Sequence, residues 1–164
     1  MPLQSGSKSV LKRMCRKYNV NDFINKVNRI REVRPDIAIT TDVIVGFPGE
    51  SEEEFLETFN FIKQINFAEL HVFPFSAREG TKAYEMPNQI SPAVKTERVN
   101  KLLELSNKLQ ENYLSKFRGQ ELEVILEERN KTTGLLSGFT SNYLKLESDL
   151  PDEYIGKIAK IKVR

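Results

Sequence analysis

The sequence is poor in metal-binding side chains and has no stretch long enough to cross a bilayer. Its 164 residues include one cysteine, Cys15, and one histidine, His71. A single thiol excludes an internal disulfide. By itself it also cannot hold a zinc ion or an iron–sulfur cluster, each of which needs several ligands. No apolar run approaches the roughly 20 residues of a membrane-spanning helix, and Met1-Pro2-Leu3-Gln4-Ser5-Gly6 is unlike a signal peptide. The expectation is a cytoplasmic protein with no membrane partner. Net charge is only +2, so any charged surface must come from uneven placement.

The placement is uneven. Residues 1–34 carry nine Lys and Arg against two acids, whereas residues 118–164 hold eight of each sign. Lys12, Arg13, Arg16 and Lys17 could meet an anionic partner, or simply solvate a helix. With 39% apolar residues, the chain can bury one moderate core or two small ones.

Periodicity predicts helices over Ser7 to Tyr18 and over Asn21 to Arg34, the second capped by Asn21 and stopped by Pro35. Ile37 to Val45 reads as a buried strand. Ser51 and Glu54 then form an S-x-x-E capping box that opens a helix with Phe55, Phe59, Ile62 and Ile65 on its apolar face. Ala68 to Phe75 is a second strand, so the unit should be strand–helix–strand with parallel strands and a right-handed crossover. A long helix is expected from Pro92 to about Phe117, closed by Gly119. Short strands follow at Leu122 to Glu128, Leu135 to Thr140, Tyr143 to Glu147 and Ile158 to Val163. The expected fold class is therefore α/β with parallel strands in residues 1–117, followed by a small all-β domain in 118–164.

Ligands of parallel α/β sheets bind at the carboxyl ends of the strands. Three polar, glycine-bearing turns should converge there: Gln4-Ser5-Gly6-Ser7, Gly46-Phe47-Pro48-Gly49-Glu50 and the turn from Phe75 to Thr81. The second resembles a phosphate-binding join of strand and helix. However, Glu50, Glu52, Glu53 and Glu54 crowd that helix start, complement its dipole and would repel phosphate. A less anionic ligand fits better, with Arg78 as the one fixed cation for a carboxylate or phosphate, unless it serves only a surface ion pair. Strand alternation puts Thr40, Asp42 and Ile44 on one face, toward a cleft, where Asp42 could serve a ligand or satisfy a neighbouring strand. His71, alone, makes no metal site.

PLQSGS, SVLKRM, TTDVIVGFPGESEEEF, HVFPFSAREGTKA and GLLSGFTSNYLKLES, in this order across nearly the whole chain, resemble the methylthiotransferases of the radical S-adenosylmethionine (SAM) superfamily. Among these, the ELHVFPFS and GFTSNYLKL segments look most like those of the bacterial enzymes that act on N6-threonylcarbamoyladenosine in tRNA. The resemblance implies a partial TIM-like barrel, here a half-barrel, followed by an OB-like TRAM domain that grips RNA. It also implies SAM and two [4Fe-4S] clusters in the whole enzyme, with tRNA as partner and a methylthio group added at C2 of the modified adenine beside the anticodon.

Gln4, Ser5, Asp42, Ile44, Gly46, Pro48, Gly49 and Arg78 would then line the cofactor. Arg78, Thr81, Asn142 and Tyr143 would meet substrate. The cluster-binding C-x-x-x-C-x-x-C loop of that family is absent, and Cys15 in LKRMCRKY matches no cluster motif. The chain is thus expected to be part of something longer, inert alone, and to self-associate through an uncovered edge of the Ile37 to Val45 strand. Two substrates remain open within the family, isopentenyladenosine in tRNA and a ribosomal protein aspartate. Outside it stands a non-catalytic RNA-binding module.

Overall fold

The computed structural model describes residues 1–163. It is a mixed α/β structure of two compact units, residues 1–111 and 112–164. No helix among the described residues is long and apolar enough to cross a membrane.

The first unit contains helices α1 (Lys8–Arg13) and α2 (Val20–Val33), strand β1 (Thr40–Val45), helix α3 (Glu52–Ile65), strand β2 (Glu69–Pro74), the short helix α4 (Lys82–Glu85) and most of α5 (Pro92–Ser115). As the sequence predicts, β1 and β2 are parallel, with Asp42 opposite His71 and Ile44 opposite Phe73. Alternation along β1 also holds: Thr41, Val43 and Val45 are buried, while Thr40, Asp42 and Ile44 are half-buried on the other face. The core under the buried face is built from Leu3, Phe23, Val27, Val43, Phe55, Ile62, Phe67 and Leu102, among others. Phe23 sits edge-on to both Phe61 and Phe67.

Three expectations need correction. The α1 helix is only six residues long, because Cys15 adopts a left-handed φ of 56° and turns the chain away. The N-cap of α2 is Asn19, not Asn21. Its side chain accepts from the Asn21 and Asp22 amides, and Asp22 answers with a bond to the Asn19 amide. This capping box of Asn with Asp lies outside the Ser/Thr-with-Glu/Gln pattern used to read the sequence.

The third concerns the edge of β1, which is covered. The Gln4 amide donates to the Asp42 carbonyl at 2.8 Å and the Ile44 amide donates to the Gln4 carbonyl at 2.8 Å, so residue 4 bridges β1 in parallel. The amino group of Met1 donates to the Thr40 carbonyl, and the Thr41 hydroxyl accepts from the Leu3 amide while donating to the Met1 carbonyl. Among the described residues, the strand edge left without a strand partner in this sheet is that of β2, which carries Phe73, 52% exposed.

The second unit is an antiparallel sheet in the order β5-β4-β3-β6, formed by β3 (Glu121–Arg129), β4 (Leu136–Thr140), β5 (Lys145–Ser148) and β6 (Ile158–Lys162). A short 3-10 turn at Asp152–Tyr154 precedes β6. Each expected strand is present within two residues of its predicted ends. Gly138 in β4 has a structural reason: a Cβ there would lie 1.9 Å from the Ile125 carbonyl oxygen, beside the bulge between Leu126 and Glu128.

Candidate functional site

The turn after β1 is built by local rules. The Glu50 amide donates to the Phe47 carbonyl at 2.9 Å, with Pro48 and Gly49 between them and Gly49 at φ +74°. Pro at the second position and a positive-φ Gly at the third define a type II turn. Gly46 also has a positive φ, +72°. Its missing side chain is required by the Lys95 stem, whose Cγ would lie 2.4 Å from a Cβ at that position.

Beneath the turn lies a buried charge cluster that the sequence reading did not find. Glu50 is 3% exposed, and its Oε2 accepts from the Gly46 amide at 2.6 Å and from the Arg98 guanidinium at 2.7 Å. Arg98, 4% exposed, also donates to the Glu50 carbonyl and to Glu52, while its plane lies 5.3 Å from the Phe55 ring centroid. Burial pushes the Glu50 carboxyl above its ordinary pKa. The Gly46 amide and the Arg98 charge oppose that rise. Lys101 pairs with Glu52 and Glu97.

Glu50 therefore turns inward instead of complementing the α3 dipole, and Glu52 is partly neutralised from α5. The signal that was missed is the spacing Lys95, Arg98, Lys101, one cation per helical turn on a single face of α5.

Glu54 forms a second junction. It completes the predicted capping box with Ser51 and also takes a two-pronged bond from Arg13, at 2.9 and 2.6 Å, with Ser9 donating to the same carboxylate. The Arg13 guanidinium is the main reason its pKa falls to about 2. Arg13 is thus committed to α3. Arg16 donates to the Gln4 side chain at 3.2 Å. Of the four cations expected to face a partner from the basic start, only Lys12 and Lys17 are exposed without a side-chain bond among the described residues.

The three turns do carry the expected residues at the strand ends. Gln4 is nearly buried at φ 66°, with its backbone tied to β1. Ser5 is fully buried, and its hydroxyl is used inside the turn, against Thr58 at 3.0 Å and accepting from the Ser7 amide. Pro48 is buried and Gly49 half-buried. Asp42 and Ile44 share the open face of the sheet with His71 and Phe73.

Arg78 is exposed, and its guanidinium makes no hydrogen bond or ion pair among the described residues. Thr81 is the N-cap of α4: its hydroxyl accepts from the Tyr84 amide and donates to the Arg78 carbonyl. Arg78 is not the only cation at this end, since Lys95 Nζ reaches the Phe75 carbonyl at 2.9 Å and lies over the Phe75 ring. Phe75 in turn packs edge-on against Phe47.

This surface of apolar side chains, positive-φ glycines and a few fixed cations suits a nucleoside better than a free phosphate. Among the described residues, no group of three or more Cys, His, Asp or Glu could hold an ion, and Cys15 is a free, exposed thiol.

In the second unit, Asn142 accepts from the Thr140 hydroxyl at 2.6 Å, and its carbonyl receives the Tyr113 hydroxyl. Tyr143, next to it, is 77% exposed.

Residues 1–62 match the family model for the radical SAM superfamily. The whole chain is similar to curated proteins of one kind. It is 48% identical to the threonylcarbamoyladenosine tRNA methylthiotransferase MtaB of Bacillus subtilis, over 99% of this chain and 37% of that protein. It is 42% identical to a tRNA-2-methylthio-N(6)-dimethylallyladenosine synthase of Thermoanaerobacter sp. (strain X514), over 99% of this chain and 35% of that protein. The chain is thus similar to radical SAM proteins in its first part and to tRNA methylthiotransferases throughout, and it spans little more than a third of the length of these relatives.

Proposed function

We propose that the open face of the first unit is the adenosine-side wall of a SAM site in a tRNA methylthiotransferase. The enzyme would place a methylthio group on C2 of N6-threonylcarbamoyladenosine beside the anticodon. Residues 1–117 would form part of a half-barrel and residues 118–164 a TRAM-like, OB-like RNA-binding domain. What carries the reading is the fixed turn at residues 46–50 beside Ile44 and Phe73, together with the greater identity to the threonylcarbamoyladenosine enzyme than to the dimethylallyladenosine one.

SAM with its iron–sulfur partners would supply the radical chemistry when bound in the whole enzyme. This chain's residues supply the walls. Ile44 offers an apolar face to an adenine ring, the type II turn through Pro48 and Gly49 brings backbone close, and Asp42 lies deeper on the same face. Gln4 and Ser5 shape the neighbouring turn. Arg78, with no internal partner, is available to a carboxylate of cofactor or substrate, and Thr81 holds the Arg78 carbonyl so that the loop keeps its course. Asn142 and Tyr143 are assigned to RNA.

The test is a segment exchange. This chain replaces the matching part of the Bacillus subtilis relative in cells that lack the enzyme, and tRNA nucleosides are read by mass spectrometry. Methylthiolated threonylcarbamoyladenosine is the expected product, and the chain alone should yield none. Methylthiolated isopentenyladenosine, or a modified ribosomal aspartate, would transfer the assignment to the sister activity. A folded exchange protein that binds tRNA and modifies nothing would favour the binding-module reading.

A further inference from the structure

Tyr143 combines two properties that rarely coincide. Its ring is 77% exposed, the highest exposure among the aromatic side chains, and its backbone is left-handed at φ 62°. For a bulky L residue that region is costly, and Gly or Asn would occupy it with little strain. Nothing in the packing repays the cost by burial.

The loop is nevertheless tied down by hydrogen bonds. The Tyr143 amide donates to the Thr140 carbonyl at 3.0 Å, the Leu144 amide donates to the Thr140 hydroxyl at 2.9 Å, and that hydroxyl donates to Asn142. The ring is therefore held out from a fixed stem, with one aromatic neighbour, Phe139, at 6.1 Å between centroids. Phe139 begins an unbroken row across the sheet. Register pairs it with Lys145 on one side and Ile125 on the other, and Ile125 with Ile158. Ile125 is 44% exposed and Ile158 67%. The outer face of the sheet thus carries an apolar strip with an aromatic pair at one end and a lysine beside it.

We propose that Tyr143 is a stacking platform for an unpaired RNA base, with Phe139 supporting its ring and the Ile125–Ile158 strip carrying the next one. This rests on the reading that the second unit faces RNA, and it adds the mode of contact: single-stranded, stacked and tolerant of sequence. Lys145 supplies a cation beside the stacked base, and no acid stands in the row. Residues 118–164 have equal numbers of positive and negative side chains. Attraction to phosphate is therefore weak, and stacking carries most of the affinity, so binding should depend only shallowly on salt. The loop is already tied by hydrogen bonds in the free protein, which lowers the cost of capture.

The test compares the full chain with Tyr143→Gly, Tyr143→Asn and Tyr143→Phe. Affinity for a labelled single-stranded oligouridine, an oligoadenosine and a duplex RNA is measured by anisotropy, and stability by thermal unfolding. The Gly and Asn variants should unfold at the same temperature or higher, because they relieve the left-handed strain. They should lose about fivefold or more of their single-strand affinity. Phe should retain it, and duplex binding should not change. In the wild type, the Tyr143 ring resonances should move upfield with a bound base. Equal single-strand affinity in all four chains would overturn the platform while leaving RNA binding intact. Failure of the wild type to bind any of the three RNAs would overturn the RNA reading itself.

Discussion

Replacing Glu54 with Gln should alter the acid stability of the chain by an amount and in a direction that the structure sets. In the folded state the carboxylate takes two bonds from Arg13, one from Ser9 and one from the Ser51 amide, and its pKa falls from 4.5 to about 2. Each tenfold change in proton affinity corresponds to about 1.4 kcal/mol, so the full shift would be roughly 3 kcal/mol. Arg13 is 32% exposed, and solvent screening of a pair that touches water reduces this to about 1–2 kcal/mol.

Because the folded pKa is depressed, the unfolded chain binds the proton more readily. The contribution is complete above about pH 4.5 and lost as the pH falls toward about 2. The assay is urea unfolding of wild type and Glu54→Gln at steps from about pH 7 to about pH 2, read by hydrogen exchange of the α1 and α3 amides. The other carboxylates cancel in the difference. The two chains should differ by the full amount at neutral pH and converge at the acid end. Parallel curves across the whole range would refute the assignment of Glu54 as the anchor of α1 on α3.

The buried pair behaves differently. Arg98→Met strands the Glu50 carboxylate and should cost about 3–5 kcal/mol, with part recovered on acidification as Glu50 takes up a proton. The double variant with Glu50→Gln should cost less than the sum of the two single changes, and additive costs in unfolding experiments would contradict the pairing. With the β1 edge covered by residues 1–4, self-association is expected through the β2 edge. Sedimentation over a concentration series should show a dimer that Phe73→Glu disperses, and a strict monomer at every concentration would refute it.

The strands and the parallel join were legible because burial imposes a periodicity on side chains: β-branched residues continue through β1, and apolar positions recur along α3. Turn chemistry was legible too, since Pro48-Gly49 admits few conformations. What the sequence hid was partnership across distance. Glu50 and Glu54 look alike as acids at a helix start, yet one is buried against Arg98, 48 residues away, and the other is held by Arg13, 41 residues away. No local pattern separates them. Likewise, Ser5 is placed beside the cofactor by the resemblance, and the bond between its hydroxyl and Thr58, 53 residues away, is a partnership that no local pattern displays. Tyr143 was assigned to substrate by resemblance alone. Its left-handed backbone is a property of the loop that composition does not display.

The turn at residues 5–7 is held by Thr58, which accepts from the Gly6 amide across 52 residues, and a Cβ on Gly6 would collide with Phe61 and the Thr58 backbone. Leu3 and Gln4 depend on β1 in the same way. On a ribosome adding about 5–20 residues per second, residues 3–6 wait roughly 3–12 seconds before α3 is made. Residues 3–6 therefore cannot dock before β1 and α3 exist, and the apolar Leu3 waits for the β1 residues it will rest against. A chaperone that shields residues 3–6 would act during that interval and lose its hold once α3 packs onto Gly6.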